Sequence, residues 1–229
     1  MENILKIYFE KQYLEQESTK PYGPAPIVTI SREFGCPSKS IAQMLTDALN
    51  KRIIKPADPR GRYISKEVVE EAARKLDIKT IEMNYLISSG EKGLVEDLLT
   101  SFSPLYVSSR KIKKILNDVI RTLAIQGHLV FVGRGSVAIL QGCPNVLHIR
   151  LQAPLEWRVR EIAASRGINE AEAFKLTNET DSKRTALIEL LLGRKFDHSL
   201  FDLAFNCYSF SREDIVQSIL RIMEVRKMI

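Results

Sequence analysis

The stretch from Ile27 to Leu49 constrains the fold most, because four apolar, β-prone residues run into a turn-rich loop and then into an amphipathic helix. Ile27-Val28-Thr29-Ile30 reads as a short buried strand, Ser31 to Ser38 as the loop, and Lys39-Ser40-Ile41-Ala42 as the helix opening. A helix N-terminus presents unpaired amides backed by aligned peptide dipoles, so it attracts anions. The order therefore predicts a phosphate-binding loop. Lys39 and Ser40 stand where a G-x-x-x-x-G-K-[ST] motif has the lysine for the β/γ-phosphates and the hydroxyl for Mg²⁺. Glu33 and Ser38 replace its glycines, and Pro37 removes an amide donor. An ordinary strand, turn and helix is the alternative reading of the same residues.

Further apolar runs extend the pattern. Arg52 to Ile54, Leu129 to Val132, Val146 to Leu151 and Leu203 to Cys207 read as strands. Helical periodicity fills Lys66 to Leu76, Arg110 to Ile125, Pro154 to Arg166, Glu170 to Leu192 and Arg212 to Met228. Strands alternating with helices predict a parallel sheet covered on both faces, whose ligand site lies at the carboxyl ends of the strands. After the third strand comes Gly133-Arg134-Gly135-Ser136, whose glycines allow an unusual turn and leave the guanidinium uncrowded, which suits bidentate contact with a phosphate. A strand-ending turn with an exposed arginine is the alternative there. The segment from about 60 to 126 is too long for one crossover helix and reads as an inserted helical subdomain. Residues 1–25 form a polar extension ending in the proline-rich Pro21 to Pro26, a linker composition.

The 229 residues are 45% hydrophobic, enough for one sizeable globular domain. No apolar run approaches the roughly 20 residues of a membrane span, and the N-terminus lacks the apolar core of a secretory signal, so the expected location is cytoplasmic and no membrane partner is expected. Cys36, Cys143 and Cys207 are too scattered for a disulfide framework, and His128, His148 and His198 have no metal-ligand spacing. A formal charge of +6 points to an acidic partner without choosing among nucleic acid, an anionic surface and a phosphorylated small molecule. Lys111, Lys113 and Lys114 read as a solvated helix face. With no helix-turn-helix, ribonucleoprotein motif or zinc pattern, nucleic acid is the least expected of the three. The oligomeric state, a homo-oligomer included, is left open.

Val28 to Gly35, Ile41-Ala42, Val132 to Ser136, His148 to Pro154 with Arg158, and Asp181 with Arg184 follow one another in an order that resembles the cytidylate kinase-like proteins, nucleoside monophosphate kinases of the P-loop class. The likeness covers about Pro26 to Val225. It implies an α/β, three-layer P-loop NTPase-like fold: a five-stranded parallel sheet with helices on both faces, an acceptor-binding helical insertion over about 60–126 and a helical lid over about 180–196. It also implies ATP-dependent phosphoryl transfer with Mg²⁺ to a nucleoside monophosphate, CMP being the first candidate. Lys39 and Arg184 would then be catalytic. Gly35, Cys36, Ser38, Lys39, Ser40, Arg134, Arg158 and Asp181 would bind nucleotide or phosphate, and Ser40 would help hold Mg²⁺. Departures from the motif at Pro37 and Ser38 make a catalytically impaired nucleotide-binding sensor or interaction protein the alternative. An intrahelical ion pair is the bland account of Asp181 and Arg184, three residues apart.

Overall fold

The computed structural model describes residues 25–52, 62–64 and 109–229. Five strands form one sheet: β1 (Ile27–Arg32), β2 (Arg62–Ile64), β3 (Leu129–Val132), β4 (Val146–Gln152) and β5 (Leu203–Asn206). Their spatial order is β2-β3-β1-β4-β5, and every neighbouring pair is parallel. The central strand β1 leaves toward β2 on one side, whereas its neighbour β4 leaves toward β5 on the other. That divergence opens a crevice at the carboxyl ends of β1 and β4, where ligands bind in sheets of this kind.

Helices α1 (Ser38–Arg52), α2 (Ser109–Ala124), α3 (Ser136–Ile139), α4 (Leu155–Arg166), α5 (Glu170–Leu192) and α6 (Arg212–Val225) complete the described fold. Successive strand residues face opposite ways, so each strand serves two cores. On one side Val28, Ile30, Val130, Leu147 and Ile149 pack with Ile41, Leu45 and Leu49 of α1 and with Ile215, Ile219 and Met223 of α6. Helix α2 buries Leu116, Val119, Ile120 and Leu123 and contacts α3 and α5. Burying such an aliphatic side chain contributes about 1.5–3 kcal/mol, so these stripes rather than helix propensity fix the layers. Asn169 caps α5 by accepting from Glu172 N–H at 2.9 Å, and a Ser211–Asp214 capping box starts α6.

The expected strand over Arg52 to Ile54 is displaced: Arg52 ends α1, and the strand lies at Arg62–Ile64. The apolar stripe of Ile41, Leu45 and Leu49 carries α1 to Arg52, the first residue of that β-prone run, while Ile53 and Ile54 lie outside the described residues. Tertiary packing outweighs local propensity there. Strand β2 also trims the start of the expected insertion. The expected helix over Lys66 to Leu76, the insertion beyond Ile64 and the N-terminal extension fall on residues outside the described set. No helix of the described residues is long and apolar enough to cross a membrane.

Candidate functional site

A cleft opens where the sheet topology predicts one, lined by Ser31 and Arg32 of β1, the Gly133–Gly135 turn after β3, Arg150 of β4, and Asp181, Arg184 and Thr185 of α5. Its volume of about 90 Å³ is well below the roughly 300–1,000 Å³ of pockets that enclose a whole small-molecule ligand. It has the scale of a phosphoryl group.

Four arginines meet there with one lining carboxylate. Arg32 sits at the carboxyl end of the central strand, and its guanidinium crosses the backbone of Gly133 so closely that a Cβ at that position would lie 1.8 Å from Nη1. Gly133 and Gly135 have φ of 72° and 68°, and Arg134 between them is held at 57°, a conformation costly for a residue with a side chain. Among the described residues no hydrogen bond or ion pair reaches the Arg32 guanidinium. Burial, with the cations of Arg184 and Arg134 behind it, pushes Arg32 down to about 9. Arg184 is pushed down to about 10 chiefly by burial, with Asp181 opposing the shift. Its Nη1 donates to Arg32 O at 3.2 Å and lies 3.8 Å from Asp181 Oδ1. Arg150, whose Cα is in register with that of Ser31, lies 5.3 and 5.5 Å from the Phe196 and Phe201 ring centroids. Its Nη2 pairs with Glu33 Oε1 at 3.3 Å, while Nε is buried and unpartnered among the described residues. Desolvated cations that repel one another are stabilised by an anion placed among them.

The β1–α1 loop is differently built. Glu33 N–H donates to Leu151 O at 2.9 Å, Cys36 N–H to Glu33 O at 3.3 Å and Ser38 N–H to Cys36 O at 2.8 Å. Phe34 N–H donates to Asp181 Oδ1 at 2.7 Å. Pro37 has no N–H, so the loop offers few amides to an anion. Gly35, at φ 96°, is pressed against α4: a Cβ there would meet Arg158 Cβ at 3.0 Å and its backbone at 3.3 Å. Cys36 is buried, and the neighbouring Cys207 thiol together with burial pushes its own thiol up. Ser38 is buried, the Ser40 hydroxyl donates to Pro37 O at 3.0 Å, and Lys39 is exposed.

Arg158 lies behind this loop, outside the cleft lining. It is 6% exposed and donates to Ala153 O, Phe34 O and Asp181 Oδ2 at 3.0, 3.1 and 2.6 Å, with Glu33 Oε2 at 3.3 Å from Nε. Thus Arg134, Asp181 and Arg184 come together in the cleft. Gly35, Cys36, Ser38, Lys39, Ser40 and Arg158 do not line it.

The profile of the cytidylate kinase-like family matches residues 27–208. The chain belongs to the cytidylate kinase-like family. An uncharacterized protein from Eubacterium ventriosum shares its fold at 17% identity and a TM-score of 0.61, covering 87% of this chain and 98% of that one. Shikimate kinase from Bacteroides thetaiotaomicron matches 88% of this chain and 98% of its own at 12% identity, with a TM-score of 0.46. No curated protein matches the chain.

In this cytidylate kinase-like chain the arginines that sequence reasoning overlooked are Arg32 and Arg150. Both carried a readable signal. Arg32 is a cation directly after the apolar run of β1, and Arg150 interrupts the apolar β4 run two residues before its end. In a parallel sheet buried on both faces, a charge at either place belongs to the ligand edge.

Proposed function

We propose that the chain is a kinase-like phosphotransferase acting on a small phosphate ester, a nucleoside monophosphate with CMP as first candidate, and that its phosphoryl group binds in the arginine cleft. The observation that carries this reading is the half-buried Arg32 guanidinium, without a hydrogen-bonding partner among the described residues and facing the same cleft as Arg134 and Arg184. Guanidiniums match phosphate geometry bidentately and compensate the charge that spreads over its oxygens during transfer. Arg32 would grip the phosphoryl oxygens from the sheet side, Arg134 from the β3 turn and Arg184 from α5. Arg150 adds positive potential from below, and α5 excludes water over the group it covers.

Family membership implies ATP and Mg²⁺ as the phosphoryl source. As folded, the β1–α1 loop does not fit a triphosphate with its metal: its amides at Glu33, Phe34, Cys36 and Ser38 donate within the protein, the Ser40 hydroxyl donates to Pro37 O, and no acidic cluster suited to a metal occurs among the described residues. No step of this reading runs through that group. The same closed loop favours a second reading, a nucleotide-binding protein that does not turn over.

Mg-ATP with a panel of nucleoside monophosphates, followed for ADP formation, separates the two. Stimulation by one monophosphate supports the phosphotransferase. Monophosphate binding that needs Arg32, without ADP formation under any condition, supports the sensor. Monophosphate binding that survives loss of Arg32 removes the cleft from either account.

A further inference from the structure

Cys36 and Cys207 are far apart in sequence, and the sheet brings them together. Strands β1, β4 and β5 are consecutive neighbours, with Arg32 in register with Leu151 and Gln152 with Asn206. Past the end of β1 the loop leans over β4. Glu33 N–H donates to Leu151 O at 2.9 Å, Ala153 N–H donates to Glu33 Oε2 at 3.1 Å, and Gly35 lies against Arg158 of α4. Cys36, turned back by its N–H donating to Glu33 O at 3.3 Å, thereby reaches across β4 toward β5. Cys207 stands one residue beyond β5 and donates its own N–H to Gln152 O at 2.8 Å. The two thiols are neighbours in one core cluster, each 9% exposed and both reduced.

We propose that Cys36 and Cys207 are a reversible modification site, a dithiol that a peroxide converts into one intramolecular disulfide tying the β1–α1 loop to the end of β5. The Cys207 thiolate attacks a peroxide oxygen, the O–O bond breaks, and the departing oxygen takes up a proton and leaves as water, which makes Cys207 a sulfenic acid. The Cys36 sulfur then attacks that sulfur. The S–S bond forms as the S–O bond breaks, and the hydroxyl leaves as water with the proton of Cys36. Two thiols are oxidised and one hydrogen peroxide is reduced to two waters.

The surroundings suit this order of events. The Cys36 thiol draws Cys207 below its ordinary value against the opposing effect of burial, and the same contact pushes Cys36 up, so the first proton of the pair leaves from Cys207. Tyr208, directly after Cys207, is 62% exposed, which sets that sulfur just beneath the surface and within reach of a small neutral oxidant. Two cysteines that merely fill the core would react no faster than Cys143, which is less buried.

A bridge would hold the loop in the form whose amides already bond within the protein, and through Glu33 it would steady Arg150 at the cleft wall. In the phosphotransferase reading, on which this one consequence rests, the oxidised chain keeps its arginine cleft and loses the loop rearrangement that a triphosphate requires.

The test treats the full chain with hydrogen peroxide, then alkylates it and maps its peptides without reductant. A peptide joining Cys36 to Cys207 should appear while Cys143 is still alkylatable. Hydrogen exchange at the Phe34, Cys36 and Ser38 amides should slow about tenfold or more, because a covalent tie suppresses local opening. Dithiothreitol should restore both the thiols and the exchange. A bridge that includes Cys143, Cys36 and Cys207 both alkylatable after Cys143 has reacted, or their conversion to sulfinic acids without a bridge, overturns the proposal. The bridge should persist in Cys143→Ser. ADP formation should fall about tenfold or more on oxidation and return with dithiothreitol, and turnover that ignores the bridge overturns the regulatory consequence. A reduced chain that forms no ADP with any monophosphate counts against the phosphotransferase reading, and the peptide map still decides the bridge.

Discussion

Replacing Arg32 by methionine should stabilise the ligand-free protein while removing its affinity for phosphate esters. The guanidinium is pushed well below its ordinary value, to about 9, by burial and by Arg184 and Arg134. At about 1.4 kcal/mol per pH unit, holding it charged costs the fold up to ~5 kcal/mol. Relaxation and residual hydration reduce that figure, and a methionine retains most of the packing of the aliphatic stem, which leaves a gain of about 1–3 kcal/mol. For a chain of this size the gain corresponds to a rise in Tm of about 3–9 °C. The folded value lies below the unfolded one, so the penalty is fully present below about pH 9 and fades as pH rises from there toward the unfolded value. Thermal unfolding at pH 7.5 in a phosphate-free buffer measures it. Adding a nucleoside monophosphate should then raise the Tm of the parent and leave Arg32→Met unmoved, since only a folded state that binds is stabilised. A variant that melts below the parent in phosphate-free buffer would refute the idea that Arg32 is a desolvated cation that an incoming anion stabilises.

Gly133→Ala places a Cβ where Arg32 Nη1 now lies and strains a left-handed backbone, so it should cost about 1–2 kcal/mol in urea unfolding and weaken phosphate-ester binding by displacing Arg32. Lys39→Ala should change nucleoside monophosphate affinity less than twofold by calorimetry, because the Lys39 side chain is exposed and does not line the cleft; a larger loss would return Lys39 to the site. Burial holds His148 below its ordinary value, with Nδ1 2.7 Å from Thr29 Oγ1. The unfolded chain then binds the extra proton first, so stability should fall as pH drops through about 6.5 toward the folded value. Urea midpoints compared at pH 7.5 and 5.5 should show this fall in the parent and a smaller one in His148→Gln.

Periodicity carried the layers well where elements are long: the expected helix over Glu170 to Leu192 coincides with α5, and that over Pro154 to Arg166 differs from α4 by one residue, Pro154 serving as its cap. It failed at Arg52, which the stripe of Ile41, Leu45 and Leu49 keeps as the last residue of α1, and α3 was too short to show a period. The family likeness pointed to the carboxyl ends of the strands, where the candidate cleft lies, because the order of short motifs tracks strand ends. What it missed is which groups are already spoken for. That Phe34 N–H would meet a carboxylate 147 residues later, or that Gly35 is small to admit the Arg158 backbone, depends on contacts distant in sequence. Arg32 and Arg150 were legible as charges within apolar strands, yet their convergence required the register that pairs Ser31 with Arg150.

The central position of β1 also dictates when this site can exist. Its partners are β3 and β4, which begin at Leu129 and Val146, and the loop that follows it waits further for Leu151 and Asp181. At about 5–20 residues per second of synthesis, β1 and its loop leave the ribosome roughly 5–30 seconds before the chain that closes them. For that interval Ile27 to Ile30 is an unpaired apolar strand, the thiol of Cys36 is open to solvent, and the loop amides have only water to bond. The nascent chain, more than the finished protein, is thus the form in which this segment is exposed to chaperones, oxidants and stray pairing.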